Sequence, residues 1–222
     1  MAAYQEAVIA SAPTHYYYMD DLTARLGTAM TLGGGTLTYA AGPNTWLGNC
    51  MVFNGSTFGV VPRTVTSDFT IEFFIKTTQS GSASGNWYSC TGVLGDEVSG
   101  NTTDLGVILS GTTIGLGMGG NDTLALGPAV NDGAWHHIAI TRASGSVEFW
   151  KNGVLNNTAT GQPTGDRGAG ASFGVGAMTG SGTNYFIGSL DELAIYTRKL
   201  PGAEILNHYT VRADVNFYQV VG

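Results

Sequence analysis

Two consecutive strand–turn–strand patterns in the C-terminal half constrain the fold more than any other feature of this chain. Trp135-His136-His137-Ile138-Ala139-Ile140 leads to Phe149-Trp150-Lys151, and Asn152-Gly153 then joins that segment to Val154-Leu155. Side chains alternate along a strand, so His136, Ile138 and Ile140 share one face while His137, Ala139 and Thr141 share the other. Asn152-Gly153 is the strongest short hairpin signal, because both residues tolerate positive φ. One hairpin directly following another implies antiparallel β-structure.

Comparable runs recur near residues 14–19, 36–40, 49–53, 57–61, 69–77, 91–96, 104–110, 113–118, 123–126, 172–176 and 185–196. Short strands at this spacing, broken by Gly, Asn and Asp, predict a two-sheet antiparallel sandwich. Leu32 to Gly35 and Gly117 to Asp122 read as glycine turns, and Gln79–Trp87 and Gln162–Ala171 as polar loops. A single short helix is expected from Pro201 to about His208, with Glu204 in its first turn but no Ser/Thr cap. With 222 residues, 43% of them apolar, the chain can bury a full core as one large domain over residues 1–210. Residues 211–222 alternate Val215 and Phe217 against Asn216 and Tyr218. They read either as a last strand or as an arm that pairs with a neighbouring subunit.

These residues resemble the laminin-G-like, concanavalin A-like jelly-roll family. Its markers are a Trp-His-His strand, an aromatic-x-Asn-Gly hairpin as in Trp150-Lys151-Asn152-Gly153, and a Gly-x-x-Asp-Glu strand as in Gly188-Ser189-Leu190-Asp191-Glu192. A short Leu200-Pro201-x-x-Glu204 helix follows, and Pro13 to Asp21 is similar to the family's opening strand. Phe53-Asn54-Gly55-Ser56 and Phe69 to Lys76 are similar to its second and third marker strands. The resemblance covers about Val8 to Tyr209 and implies an all-β jelly-roll sandwich; it carries little about the ligand.

A net charge of -7 with no Lys/Arg cluster argues against nucleic acid and against an anionic membrane surface. The first six residues show no signal-peptide pattern, and no apolar run reaches the roughly 18 residues needed to span a bilayer. Cys50 and Cys90 therefore read as buried thiols of a reducing compartment, with a disulfide as the other reading. Domains resembling this one mostly work outside cells, and a bacteriophage protein released by lysis reconciles that with a missing export signal. The expectation is a homo-oligomeric virion surface protein, a head decoration or fibre-type component, meeting other virion proteins or surface glycans. A secreted or cell-surface lectin-like module is the alternative, and a glycosidase or lyase on the same fold the third.

No catalytic residues are assigned. Glycosidases resembling this fold use a Glu-x-Asp-x-x-Glu run, which sets two carboxylates roughly 5–5.5 Å apart; the run is missing, and Glu72 stands alone among Phe residues. His136 and His137 point to opposite faces and cannot share a metal ion. Period two places Asp191 beside Leu193 and Ile195, where a bare carboxylate is costly. The resemblance implies a structural Ca²⁺ there, held by Asp191 with Asp20 or Asp21 and backbone near Gly48, oxygen ligands that suit a hard ion. The alternative is a hydrogen-bonded structural Asp. Trp135 and Trp150 read as core or sheet-face residues, whereas Trp46 and Trp87 sit in Gly/Asn-rich loops. Asn86-Trp87-Tyr88, with Trp46, is the candidate ligand-binding set, because exposed rings stack on sugar faces; the competing reading folds these rings back over the core.

Overall fold

The computed structural model describes residues 1–65, 67–119, 123–167, 170–180 and 184–212. Helix α1 (Ala3–Ala10) precedes β1 (His15–Tyr17), β2 (Thr31–Gly34), β3 (Thr38–Ala41), β4 (Asn49–Asn54), β5 (Phe58–Pro62) and β6 (Phe69–Lys76). A 3-10 turn at Trp87–Ser89 leads into β7 (Thr91–Asp96), β8 (Leu105–Ser110), β9 (Thr113–Met118) and β10 (Thr123–Ala129). Then come β11 (His136–Ala143), β12 (Ser146–Lys151), β13 (Val154–Ala159), β14 (Ser172–Val175), β15 (Met178–Thr179), β16 (Ile187–Tyr196) and α2 (Gly202–Val211).

Sheet I runs β13-β12-β11-β6-β16-β4-β3 with β1 beside β16, and sheet II runs β10-β9-β8-β7-β14-β5-β2 with β15 parallel to β7. The interleaving of early and late strands is that of a jelly-roll sandwich, as the sequence predicts. Alternation builds the core: Phe69, Ile71, Phe73 and Ile75 of β6 meet Val107, Leu109, Leu116 and Phe173 of sheet II between the layers. Asn152 (φ 55°) and Gly153 (φ 76°) make the expected hairpin turn.

Besides the short β15, three elements depart from the sequence reading. Helix α1 was not foreseen, because eight residues with a weak apolar stripe give little local signal. It is held by burial of Tyr4, Gln5 and Val8 against sheet I, and the Gln5 side chain takes the Ala2 N–H at 3.2 Å. Leu32 to Gly34, the larger part of the turn expected at Leu32 to Gly35, belong instead to β2, an edge strand paired with β5. Its Gly33 makes room for the Phe58 ring, which lies 2.1 Å from where a Cβ would stand. Finally, β16 carries a bulge: its register against β6 shifts between Asp191 and Ala194, and Glu192 adopts φ 52°. The extra residue cancels the period-two expectation for Asp191. Leu193 and Ile195 face the core, whereas Asp191 stands opposite Phe74, whose ring belongs to the outer-face cluster of sheet I.

Helix α2 starts after Pro201, which supplies no side-chain cap, and runs to Val211. Of the proposed tail element, residues 213–222 lie outside the described residues, as do 120–122 of the turn expected before β10. Cys50 and Cys90 are both buried free thiols.

Candidate ligand-binding site

Helices α1 and α2 lie against the outer face of sheet I and seal a polar layer beneath them. Its hub is Glu72, which is fully buried. The carboxylate accepts hydrogen bonds from His137 Nε2 (2.7 Å), His208 Nδ1 (3.0 Å), Tyr4 Oη (3.1 Å) and Tyr196 Oη (3.3 Å). Burial alone would raise the Glu72 carboxyl, but the His208 charge and the hydrogen bonds from both histidines outweigh it and hold it well below the usual range. Burial likewise opposes the His208 cation, yet Glu72 raises it above its ordinary value. Beside this hub, Glu192 accepts from Gln5 Nε2 at 2.7 Å and from the Tyr16 hydroxyl, and burial pushes its carboxyl up to about 8. Ser11 Oγ lies 3.0 Å from His208 Nε2, so Ser11, His208 and Glu72 connect in the order of a hydrolytic triad. The cavity described below is not lined by Ser11, and the layer acts as a clamp for the two helices.

Near the end of the same sheet, Asp191 is also fully buried. Its Oδ1 accepts the Glu192 N–H at 3.0 Å, while Oδ2 has no hydrogen-bond partner among the described residues. A methyl group on Gly42 would lie 2.7 Å from that oxygen and 2.9 Å from the Gly48 carbonyl, and one on Gly48 would lie 2.8 Å from Asp20 Oδ1. Asp191, Asp20 and the Gly48 carbonyl thus border a space that glycine leaves open. Burial, then the Glu192, Cys50 and Asp20 charges, raise the Asp191 carboxyl well above the usual range. Oxygen-only donors around an uncompensated buried carboxylate fit a hard cation. Asp21 faces away: its Oδ1 takes the Thr23 N–H and hydroxyl at 2.7 and 2.6 Å. No group of three or more His, Cys, Asp or Glu side chains is poised for a metal among the described residues. A cation here would therefore rest on Asp191, Asp20 and carbonyl oxygen.

The opposite side of the sandwich carries a cavity of about 400 Å³. Gly106 of β8 pairs with Gly117 of β9, and both present the outer face of sheet II because Leu105, Val107, Leu116 and Met118 fill the core. Trp87 seats on this glycine floor: a Cβ on Gly117 would fall 2.2–2.4 Å from three Trp87 side-chain atoms. Trp87 is only 1% exposed and packs with Cys90, Ile108 and Met178. It walls one side of the cavity; Tyr88 and the β7–β8 connection from Glu97 to Asp104 form the rest. The Tyr88 ring is 38% exposed and stands edge-on to Trp87, with centroids 6.2 Å apart.

Asp104 is 3% exposed; its Oδ2 accepts the Val98 N–H at 3.0 Å, and its Oδ1 has no partner among the described residues. Burial, then the Asp104 and Asp96 charges, raise the Glu97 carboxyl. Arg63 bridges to Asp96 at 2.6 Å and donates to the Thr103 carbonyl, while Arg167 donates to the Thr102 and Gly119 carbonyls, both at 2.9 Å. Two arginines therefore brace the loop that frames the cavity.

The structure separates the residues the sequence grouped. Trp87 is a buried wall, a correction to its reading as an exposed stacking ring, because the paired glycines open a seat for the indole that spacing along the chain cannot reveal. Tyr88 keeps its ring at the cavity. Asn86 is exposed and uses its carbonyl to close the 3-10 turn onto the Ser89 N–H. Trp46 is 55% exposed, but it lies on the β3–β4 connection of sheet I and does not line this cavity. His136 and His137 diverge as expected, His136 to Asp132 at 2.8 Å and His137 to Glu72. Trp135 and Trp150 are partly buried in the outer-face cluster of sheet I. Sequence reasoning missed Glu97, Asn101, Thr102 and Asp104; their only signal is two acids bracketing a Gly-containing connection.

Among solved structures, domain 4 of AbnA, an extracellular arabinanase of Geobacillus stearothermophilus solved in complex with arabinotriose, superposes with a TM-score of 0.72 at 24% identity. That match covers 89% of this chain and 98% of the domain. The botulinum neurotoxin serotype G binding domain matches with a TM-score of 0.68 at 13% identity, and that of Paraclostridial Mosquitocidal Protein 1 with 0.63 at 16%. These matches cover 90% and 89% of this chain but 51% of each toxin domain, so the chain spans about half their length. At such identities the likeness shows the fold alone. Among curated proteins none matches this chain in sequence. The family model described as the concanavalin A-like lectin/glucanases superfamily matches residues 35–206. That match spans most of the chain: the chain belongs to the concanavalin A-like lectin/glucanases superfamily.

Proposed function

We propose that this chain is a non-catalytic glycan-binding module whose binding site is the Tyr88 cavity. The observation that carries the reading is the combination found there: an exposed ring over a polar-walled hollow, with a buried acceptor, Asp104 Oδ1, that no protein donor uses among the described residues. A ring for the apolar face of a sugar and fixed polar groups for its hydroxyls are what such a ligand requires. The bound arabinotriose in the arabinanase domain adds support of a general kind. The setting we propose is attachment from a virion surface, supported by the low charge and the content of 34 Gly residues, with a secreted lectin-like module as the alternative.

A glycan array of the purified chain tests this reading. Specific hits are expected, and Tyr88→Ala should weaken them at least about tenfold, the loss of roughly 1.4 kcal/mol of stacking. A blank array would reject it. Sugar release from the same panel, abolished in Glu97→Gln, would replace binding with hydrolysis.

We also propose a structural Ca²⁺ at Asp191, Asp20 and the Gly48 carbonyl. Calcium at a hundred times its dissociation constant should add about 2.7 kcal/mol of stability, and chelation should remove it. Asp191→Asn should abolish that response in thermal melts. A melting temperature indifferent to both calcium and chelator would end the idea.

A further inference from the structure

We propose that the Tyr88 cavity selects a ligand carrying a primary ammonium group, so that its glycan is an amino sugar with a free amine. This rests on the glycan reading above and names the sugar class. Among the described residues lining the cavity there are two carboxylates, Glu97 and Asp104, and no Lys, Arg or His. The nearby cations are already engaged. Arg63 is bound to Asp96 and the Thr103 carbonyl, and Arg167 to the carbonyls of Thr102, Gly119 and Gly165. Neither donates to Asp104 Oδ1, which stays a buried acceptor without a donor among the described residues.

Two acceptors also lie close together: Asp104 Oδ1 and the Asn101 carbonyl oxygen both pack at Gly119, 1.9 Å and 3.0 Å from where a Cβ would stand. An ammonium group is compact, brings three donors and no acceptor, and carries a charge opposite to that of the two carboxylates. The Tyr88 ring beside them adds a face that attracts a cation. A hydroxyl supplies one donor and no charge, and a sialic or uronic acid would meet two like charges. The Asp104 charge raises the cost of ionising Glu97, and a bound cation relieves it.

The test is calorimetric titration of the full chain with a β-1,4-linked glucosamine trisaccharide and with its N-acetylated counterpart, near pH 6, where such an amine is protonated. The free-amine form should bind at least about tenfold tighter, with an affinity that falls as salt is raised. Glu97→Gln and Asp104→Asn should each bring the two affinities together. The Glu97 side chain makes no hydrogen bond among the described residues, so Glu97→Gln keeps the test open if Asp104→Asn disturbs the loop. Equal affinity for both sugars would overturn the ammonium proposal and leave the glycan reading standing. So would array hits confined to neutral or anionic glycans. Calcium binding that is lost in Asp104→Asn and blocks the amine would also overturn it, in favour of an inorganic cation. A blank array together with blank titrations would overturn both readings.

Discussion

Glu72→Ala is expected to destabilise the fold by about 3–5 kcal/mol, the range for breaking a buried charged network from one side. Against a total of about 5–15 kcal/mol for a domain of ordinary stability, that approaches loss of the folded state. The size follows from position. One carboxylate satisfies groups on β11, β16, α1 and α2, and removing it strands the His208 cation and the hydroxyls of Tyr4 and Tyr196 in a sealed layer. Glu72→Gln should cost less, since it retains an acceptor. Chemical denaturation of the three proteins measures the order.

The same measurement run against pH separates the carboxylates. Glu72 is held below its ordinary value, so its contribution is complete above about pH 4.5 and is lost as pH falls through its folded value. Glu192 runs the other way. Its folded value of about 8 against an ordinary 4.5 means the native state keeps a proton the unfolded chain releases, so stability falls between those limits as pH rises. His208, raised by Glu72, contributes fully below about 6.5 and loses its share as pH passes its folded value. Glu192→Gln should flatten the decline toward alkaline pH; an unchanged slope would place the source elsewhere.

The second large effect is expected at Gly117. A Cβ there would collide with Trp87 Cγ, Cβ and Cδ2, atoms at the root of the side chain that no rotation of a distal group can clear. Gly117→Ala should therefore lift the indole from its seat at a cost of about 3 kcal/mol, the upper end of overpacking. It should also shift tryptophan emission to the red and remove glycan binding along with the cavity wall. Gly106→Ala is the control. Its first conflict is with Met178 Sδ, the flexible part of a side chain, and Trp87 lies 3.0 Å away, so a smaller loss is expected. Equal effects at the two glycines would show that Trp87 is not what the floor exists to hold.

What the sequence made legible was whatever depends on local periodicity. The strands of β6, β11 and β12 and the divergence of His136 from His137 follow from alternation, and the Asn152-Gly153 turn from two residues that tolerate positive φ. Long-range partnership was not legible: Glu72 looks isolated because its partners lie 65, 68, 124 and 136 residues away. Asp191 was placed on the wrong face because one left-handed residue, Glu192, breaks the period without any Gly to announce it. Trp87 and Tyr88 are neighbours in the same loop, yet a pair of glycines some twenty and thirty residues on, Gly106 and Gly117, decides that one is wall and the other ring.

The clamp over sheet I has a consequence for mounting. Both helices, the first and last elements among the described residues, are fastened to the outer face of one sheet, whereas the cavity opens beside the outer face of the other. Anything fused ahead of α1 would emerge on the side away from the Tyr88 hollow. A carrier of considerable bulk could then sit behind the sandwich while the hollow stays turned toward solution, and repeating copies along such a carrier would all face their ligands outward.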